Sequence, residues 1–364
     1  MKFKIPQLQP FIGKEELENL ETSIKNKWIT EGPFSEELLD LIKSFTGSKH
    51  ALFAPNGTLG LFLGLLGIEI EKGDEVIVPN FTFNASGSSV VFAGAKPVFV
   101  DVNIDDYHIL PEKIIPKITN KTKAIMPVHI YGQSADLNLI NKIAEDHKLK
   151  VIEDAAQSLG VFYNNQHTGT FGDVGVISFF ADKTITMGEG AVILTNNDDI
   201  YEKIKFLRNQ GRPNSGTFIH PFLGMNFRVT DLQCGVGVAQ FKKFETIKNR
   251  KIENYNLYKE NLNNIDEVIF VNELDYCNFV PFRAPIRVRK LNKLIPHLES
   301  KGIQSRGFFY PMHKQPCYAS FDYANSEFKN SNKLFNEGLA LPVYPDLKKQ
   351  EILTICSTIK KFYQ

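Results

Sequence analysis

Three short segments of this 364-residue chain hold side chains that could do chemistry. In SFFADKTITMGEGA (178–191), one amine, Lys183, stands between an apolar run and a Gly-Glu-Gly turn, where an ammonium group would be half desolvated and its pKa drawn down from about 10.4 towards neutrality. In KVIEDAAQSLG (150–160), Asp154 ends a very apolar run and needs a cationic or hydrogen-bonding partner to offset its desolvation, while Glu153 alternates to the other face. In NGTLG (56–60), Asn-Gly-Thr opens a helical run with free backbone N–H groups, a glycine for close approach and a hydroxyl, a combination that can hold a phosphate. Taken singly, each has a plainer reading: a solvated lysine, a carboxylate capping the next helix, an ordinary helix cap.

Taken together they describe one requirement. Pyridoxal phosphate needs a lysine that condenses with its aldehyde, a carboxylate opposite its ring nitrogen and an anion cradle for its phosphate. A lysine relieved of its proton by burial can serve as nucleophile and as base.

The elements that would position these groups can be read from the pattern. GKEELENLETSIKN and SEELLDLIKSFTG have helical spacing with acidic residues in their first turns. From residue 75 onward the short apolar runs EVIVP, PVFVDV, AIMPVH, KVIED, VGVISFF and GAVILTN alternate with helical patterns or loops. Nearly continuous apolar runs of this length suit central strands covered on both faces, so the expected fold is α/β with a large, mostly parallel sheet. The residues PNFTF, VHIYGQ and EDAAQ follow three of these runs, at the strand ends where such sheets gather ligands. After one helical stretch over 230–263 the texture changes to short strands, EVIFV and RAPIRV, and two further helices. A large domain over 1–249 and a smaller α+β domain over 250–364 are expected.

Composition excludes several classes. Lys+Arg 42 against Asp+Glu 41 leaves a net charge of +1, so no global field favours nucleic acid or an anionic membrane. The longest apolar run, LGLFLGLLGI, falls short of the roughly 18 to 20 residues that span a bilayer. Cys234, Cys277, Cys317 and Cys356 are too widely spaced for a metal knuckle or a redox pair. No metal is expected. Reduced thiols and a polar N-terminus point to the cytoplasm.

The chain resembles the DegT/DnrJ/EryC1/StrS sugar aminotransferases, a group of pyridoxal-phosphate enzymes of the fold-type I aspartate aminotransferase superfamily. Besides the three segments above, the resemblance rests on KWITEGP (27–33), PNFTFNAS (79–86), PVHIYGQSADL (127–137), GMNFRVTDLQ (224–233), FYPMHKQP (309–316) and LPVYPDL (341–347), in family order. It implies that Lys183 bonds the cofactor and shuttles the proton, that Asp154 partners the ring nitrogen, and that Gln157 lies near the ring's phenolic oxygen. Gly57, Thr58 and Ser178 become phosphate contacts, and Phe83 the aromatic stacked on the ring.

The resemblance further implies a homodimer with shared active sites. The GMNFRVTD loop would bring Asn226, or Arg228, to the neighbouring subunit's phosphate; Arg228 could instead be an internal ion-pair residue. A lysine rather than a histidine at position 183 implies amine transfer rather than C3 dehydration. The expected reaction takes nitrogen from L-glutamate, releases 2-oxoglutarate and aminates a nucleotide-linked keto-deoxysugar. The phrases around Lys183, Met225 and His313 look most like the branch acting at C4 of 4-keto-6-deoxyhexoses for O-antigen or related surface glycans. A C3 aminotransferase and a regulatory protein of the same fold are the alternatives. His313, Arg228, Arg306 and Phe308 are candidates for substrate contact, with His220 and Lys314 behind them.

Overall fold

The computed structural model describes residues 3–213, 216–321, 323 and 327–364. The large sheet consists of β1 (His50–Ala54), β2 (Glu75–Pro79), β3 (Lys96–Val100), β4 (Thr122–Ile125), β5 (Lys150–Asp154), β8 (Val174–Ser178) and β9 (Ala191–Thr195). A two-stranded ribbon, β6 (Phe162–Tyr163) and β7 (Gln166–His167), lies between β5 and β8 in the chain. The sheet order is β1-β9-β8-β5-β4-β2-β3. Every pairing in it is parallel except those of β9, which runs antiparallel to both β1 and β8.

Each apolar run read as a strand forms one, and the interior strands are buried along nearly their whole length. AIMPVH is shorter than its apolar run. β4 ends at Ile125 because Pro127 has no N–H for the ladder, and Val128 meets Asp154 only through an isolated bridge. The edge strand β1, HALFA, contains no β-branched residue and gave no strand signal in the sequence.

The helix Gly57–Gly67 is apolar on every side, as a helix buried against a sheet must be. It comes close because two of its glycines lack side chains: a Cβ on Gly60 would meet Val176 Cγ1 at 2.8 Å, and one on Gly64 would meet Ile152 Cδ1 at 2.8 Å. This close approach sets the helix N-terminus beside the end of β8.

A second, antiparallel sheet has the order β10 (Val268–Phe270), β11 (Ala284–Val288), β13 (Gly338–Leu341), β12 (Arg306–Gly307). The helices Phe244–Leu262, Leu291–Ser300 and Lys349–Tyr363 pack with it around one core. The stretch expected as one helix over 230–263 is two, Asp231–Lys242 and Phe244–Leu262, and the second runs without a break through residue 250. The small-domain core also takes in Ile5, Phe81, Tyr107 and Tyr131 from earlier in the chain, and Ile5 bridges Ile303.

Candidate active site

The C-terminal ends of β5 and β8, the N-terminus of helix Gly57–Gly67 and the small domain enclose a cavity of about 660 Å³. Lys183, Asp154, Gly57, Thr58, Phe83, Gln157, Ser178 and Arg306 all line it, although they are scattered over some 250 residues of sequence.

The carboxylate of Asp154 is 5 % exposed and fixed from two sides. Ser86 Oγ donates to Oδ2 at 2.6 Å, and Ala156 N–H donates to Oδ1 at 3.2 Å. With its proton committed to Asp154, Ser86 Oγ accepts from Thr82 Oγ1 at 2.8 Å, so two hydroxyls in PNFTFNAS form a relay that ends on the acid. Asp154's backbone is clamped as well, its N–H donating to Pro127 O and its carbonyl accepting from His129 N–H. No residue near Asp154 in sequence announces Ser86; only the need for a partner pointed to one.

Glu153 points to the opposite face of β5 and is fully buried. His129 Nε2 lies 2.9 Å from one carboxylate oxygen, and the backbone N–H groups of Gly169, Phe171 and Gly172 donate to the two oxygens at 2.7 to 2.8 Å. Burial raises the pKa of this carboxyl, but the bonds from His129 and the backbone outweigh it and hold Glu153 below the usual carboxylate range. His129 Nδ1 accepts from Ala135 N–H, which leaves Nε2 as the donor to Glu153.

Lys183 sits in the loop joining β8 to β9. That loop is closed by bonds from Phe179 N–H to Gly190 O and from Met187 N–H to Phe179 O. Gly188 turns the chain at φ +79°, a conformation costly for a residue with a Cβ. The Lys183 ammonium lies over the Phe282 ring, 4.6 Å from its centroid. Burial lowers its pKa; Asp182 and Asp154 oppose that shift and Arg283 adds to it. The amine therefore gives up its proton more readily than a solvated lysine does.

At the helix N-terminus, Asn56 Oδ1 caps Leu59 N–H at 3.0 Å. A Cβ on Gly57 would stand 3.2 Å from Ser178 Cβ and 3.4 Å from its Oγ, so only glycine leaves the space between helix and strand open. Gln157 Oε1 accepts from Tyr131 N–H at 2.9 Å, and Tyr131 itself is held at φ +54°.

The small domain supplies wall residues that were not anticipated: Phe282, Arg283 and Phe309, together with Tyr131, Asp182 and Glu189 from the large domain. Phe308 does not line the cavity. It is 4 % exposed and packs against Phe81, Tyr107 and Tyr131, whereas Phe309, one residue on, faces the cavity and stacks on Tyr131 at 5.8 Å. The reversal is the alternation of an extended chain just beyond β12.

His313 is also away from the cavity lining; its N–H and Nδ1 both address Asn80 Oδ1 and its ring stacks on Phe328 at 4.3 Å. Burial and Lys314 lower its pKa. Lys314 is on the same 3-10 turn, and His220 Nδ1 lies 2.7 Å from Gln210 O in an exposed loop. Arg228 Nε donates to Asn226 Oδ1 at 2.8 Å, and neither residue lines this chain's own cavity.

A two-domain α/β scaffold that gathers a lysine of lowered pKa, a fixed carboxylate and a helix N-terminus at one cavity has the build of a group-transfer enzyme using a carbonyl cofactor. Residues 10–360 match the DegT/DnrJ/EryC1/StrS aminotransferase family. The GDP-perosamine synthase of Escherichia coli O157:H7 is 33 % identical over 365 residues, covering 100 % of this chain and 99 % of that protein. The UDP-N-acetyl-3-dehydro-alpha-D-glucosamine 3-aminotransferase of Acidithiobacillus ferrooxidans is 35 % identical over 324 residues, 88 % of this chain and 86 % of that protein. Among solved structures, a DegT DnrJ EryC1 StrS aminotransferase from Brucella abortus superposes with a TM-score of 0.90 at 28 % identity, covering 96 % of this chain and 95 % of that one.

The chain belongs to the DegT/DnrJ/EryC1/StrS aminotransferase family. Its fold is the fold-type I arrangement, and the family implies pyridoxal phosphate as cofactor. The residues present fit that group: the gap that a Cβ on Gly57 would fill, the amine of Lys183 and the fixed carboxylate of Asp154 all border the same cavity.

Proposed function

We propose that this protein transfers the amino group of L-glutamate to C4 of a nucleotide-linked 4-keto-6-deoxyhexose, releasing 2-oxoglutarate and an amino sugar for surface glycans. The observation that carries the reading is the convergence of Lys183, Asp154 and the Gly57–Ser178 gap on one cavity. The full-length similarity to a GDP-perosamine synthase favours C4. Pyridoxal phosphate, when bound, supplies an electron sink and a carrier for the nitrogen.

In this reading Lys183 Nζ holds the cofactor covalently, and as a free amine moves the proton at the carbon that gains or loses nitrogen. Asp154 would hold the proton on the ring nitrogen, with Ser86 and Thr82 fixing the acid's orientation. The N–H groups at Gly57 and Thr58 and the Ser178 hydroxyl would hold the phosphate, Phe83 would cover the ring, and Gln157 would serve its phenolic oxygen. Arg306 and Phe309 meet the sugar nucleotide. The working enzyme is a homodimer in which Asn226 or Arg228 of each chain reaches the other's phosphate. Phe218 at 88 % and Leu223 at 97 % exposure leave an apolar surface on that loop for a second subunit to cover.

No helix among the described residues is long and apolar enough to cross a membrane. The four free cysteines suit a reducing compartment, and we assign the reaction to the cytoplasm.

A C3 reading on a 3-keto sugar is favoured by the 35 % identity to a 3-aminotransferase. Incubation with glutamate and a panel of 4-keto and 3-keto nucleotide sugars, with products identified by mass and NMR, separates the two. Turnover of 3-keto substrates alone overturns the C4 assignment. Borohydride reduction that leaves Lys183 unlabelled overturns the cofactor assignment as well.

A further inference from the structure

Asp182 precedes Lys183 in the loop between β8 and β9, so a carboxylate stands next to the amine in the chain. In a site with little water, a carboxylate that close attracts the ammonium form and holds the proton on it. Among the described residues, however, no carboxylate oxygen comes within ion-pairing distance of Lys183 Nζ. Asp182 turns instead to Arg283, whose Nη2 donates to Asp182 Oδ2 at 2.5 Å; the Asp182 and Arg283 side chains are 16 % and 7 % exposed. Neither side chain makes another hydrogen bond or ion pair among the described residues.

Arg283 is carried by the segment that leads into β11, and that segment is tied down on its own account. Val280 N–H donates to Gly132 O at 2.9 Å, Phe282 N–H to Tyr131 O at 3.3 Å, and Lys251 Nζ to Phe282 O at 3.3 Å. The Arg283 guanidinium and Lys183 Nζ lie 4.8 and 4.6 Å from the centroid of the same Phe282 ring. Without Arg283, the cations left to offset the Asp182 charge would be Lys183 and Lys251, which share a small space with it. Burial lowers the Lys183 pKa; of the charges that oppose this, Asp182 is the largest and Asp154 the next, while Arg283 reinforces the lowering. Burial, followed by Arg283, brings Lys251 down to about 7, so it is a weak competitor for Asp182. Tyr131 and Tyr344 add no charge near neutrality, since burial pushes the first hydroxyl up strongly and the second up to about 12. Glu189 and Arg306 also line the cavity.

We propose, on the reading of Lys183 as the reactive amine, that Arg283 is a positioning residue: it holds Asp182 away from Lys183, so that the carboxylate next to the amine does not keep a proton on it. When Arg283 is lost, Asp182 turns to the amine, and a protonated lysine bonded to a carboxylate is neither nucleophile nor base.

The test uses the full-length chain freed of cofactor, so that it does not depend on the reaction. Lys183 lines the cavity of about 660 Å³, which admits a small acylating reagent. Competitive acetylation with acetic anhydride across pH 5 to 11, read by peptide mass spectrometry, gives the titration midpoint of Lys183. In Arg283→Gln that midpoint is expected to rise by about one pH unit. In Asp182→Asn it should fall below the wild-type value, and in that background Arg283→Gln should raise it by less than half as much, because no carboxylate is left to release. An unmoved midpoint in Arg283→Gln, or an equal rise with and without Asp182, overturns the proposal. If Arg283→Gln fails to fold, Asp182→Asn decides alone: a lowered Lys183 midpoint supports the proposal, and an unmoved or raised one overturns it. Failure of the cofactor assignment would appear separately, as the absence of borohydride labelling on the loaded wild-type protein.

Discussion

The floor of the cavity and the loop that ends at Arg228 differ in how much of their bonding the single chain provides. On the floor, Glu153 and Asp154 are adjacent carboxylates facing opposite ways, and both have their oxygens occupied by hydroxyl, imidazole or backbone donors within the chain. In the loop, Phe218, Ile219, Phe222 and Leu223 are more than half exposed, and Asn226 and Arg228 bond each other away from their own cavity. The floor is finished by folding. The loop presents the kind of apolar surface that association would finish.

Replacing residues on the two sides should therefore give different signatures. Lys183→Ala removes nucleophile and base together, and turnover should fall by more than roughly 10⁴-fold with the melting temperature unchanged. Near-normal turnover would remove the central assignment. Asp154→Asn keeps the shape but not the charge; a loss of roughly 10²-fold or more in kcat is expected, with Ser86 and Ala156 still bonded to the amide.

Glu153→Gln should act on stability rather than on chemistry. The amide nitrogen replaces one carboxylate oxygen, each of which takes two donors, so two of the four bonds in a dry site are lost, and unfolding in urea should be easier by about 3 kcal/mol. Because the folded state holds this carboxyl below its ordinary 4.5, its contribution is complete above that pH and is lost as pH falls through the lowered value. The variant's stability should accordingly fall less steeply in acid than the wild type's. Equal slopes would mean that Glu153 is not the group responsible.

Leu223→Asp should be the mildest on folding. A charge in the apolar loop should weaken association about tenfold in concentration-dependent light scattering, and activity at low protein concentration should drop with it. A monomeric wild type that is fully active would end the shared-site reading.

How far the site could be read in advance differs residue by residue. Ser178 and Gln157 were named only through the resemblance to the family, whereas Lys183, Asp154 and Gly57 were legible because each stands near the end of an apolar run or the start of a helical one. The central strands were legible for the same reason. Ser86 was not, since its partnership with Asp154 spans 68 residues and nothing local signals it. Strand β1 was missed because its stability comes from pairing with β9 and not from β-branched residues of its own. Phe308 and Phe309 could not be told apart, because two adjacent identical side chains differ only in which face of an extended segment they occupy. The helix Phe244–Leu262 shows that a change of texture near residue 250 need not be a break in the backbone.

By itself, then, the order of residues determined the alternation of strands and helices, the positions of the chemically active side chains at strand ends, and the family they resemble. All of these follow from local periodicity and from short patterns. Which groups come to share a cavity was decided only in three dimensions: that Ser86 orients Asp154, that Phe282 lies beside Lys183, and that Arg283 pairs with Asp182. Those contacts join segments tens to hundreds of residues apart, and their energies depend on burial and distance, quantities that exist only once the chain has folded.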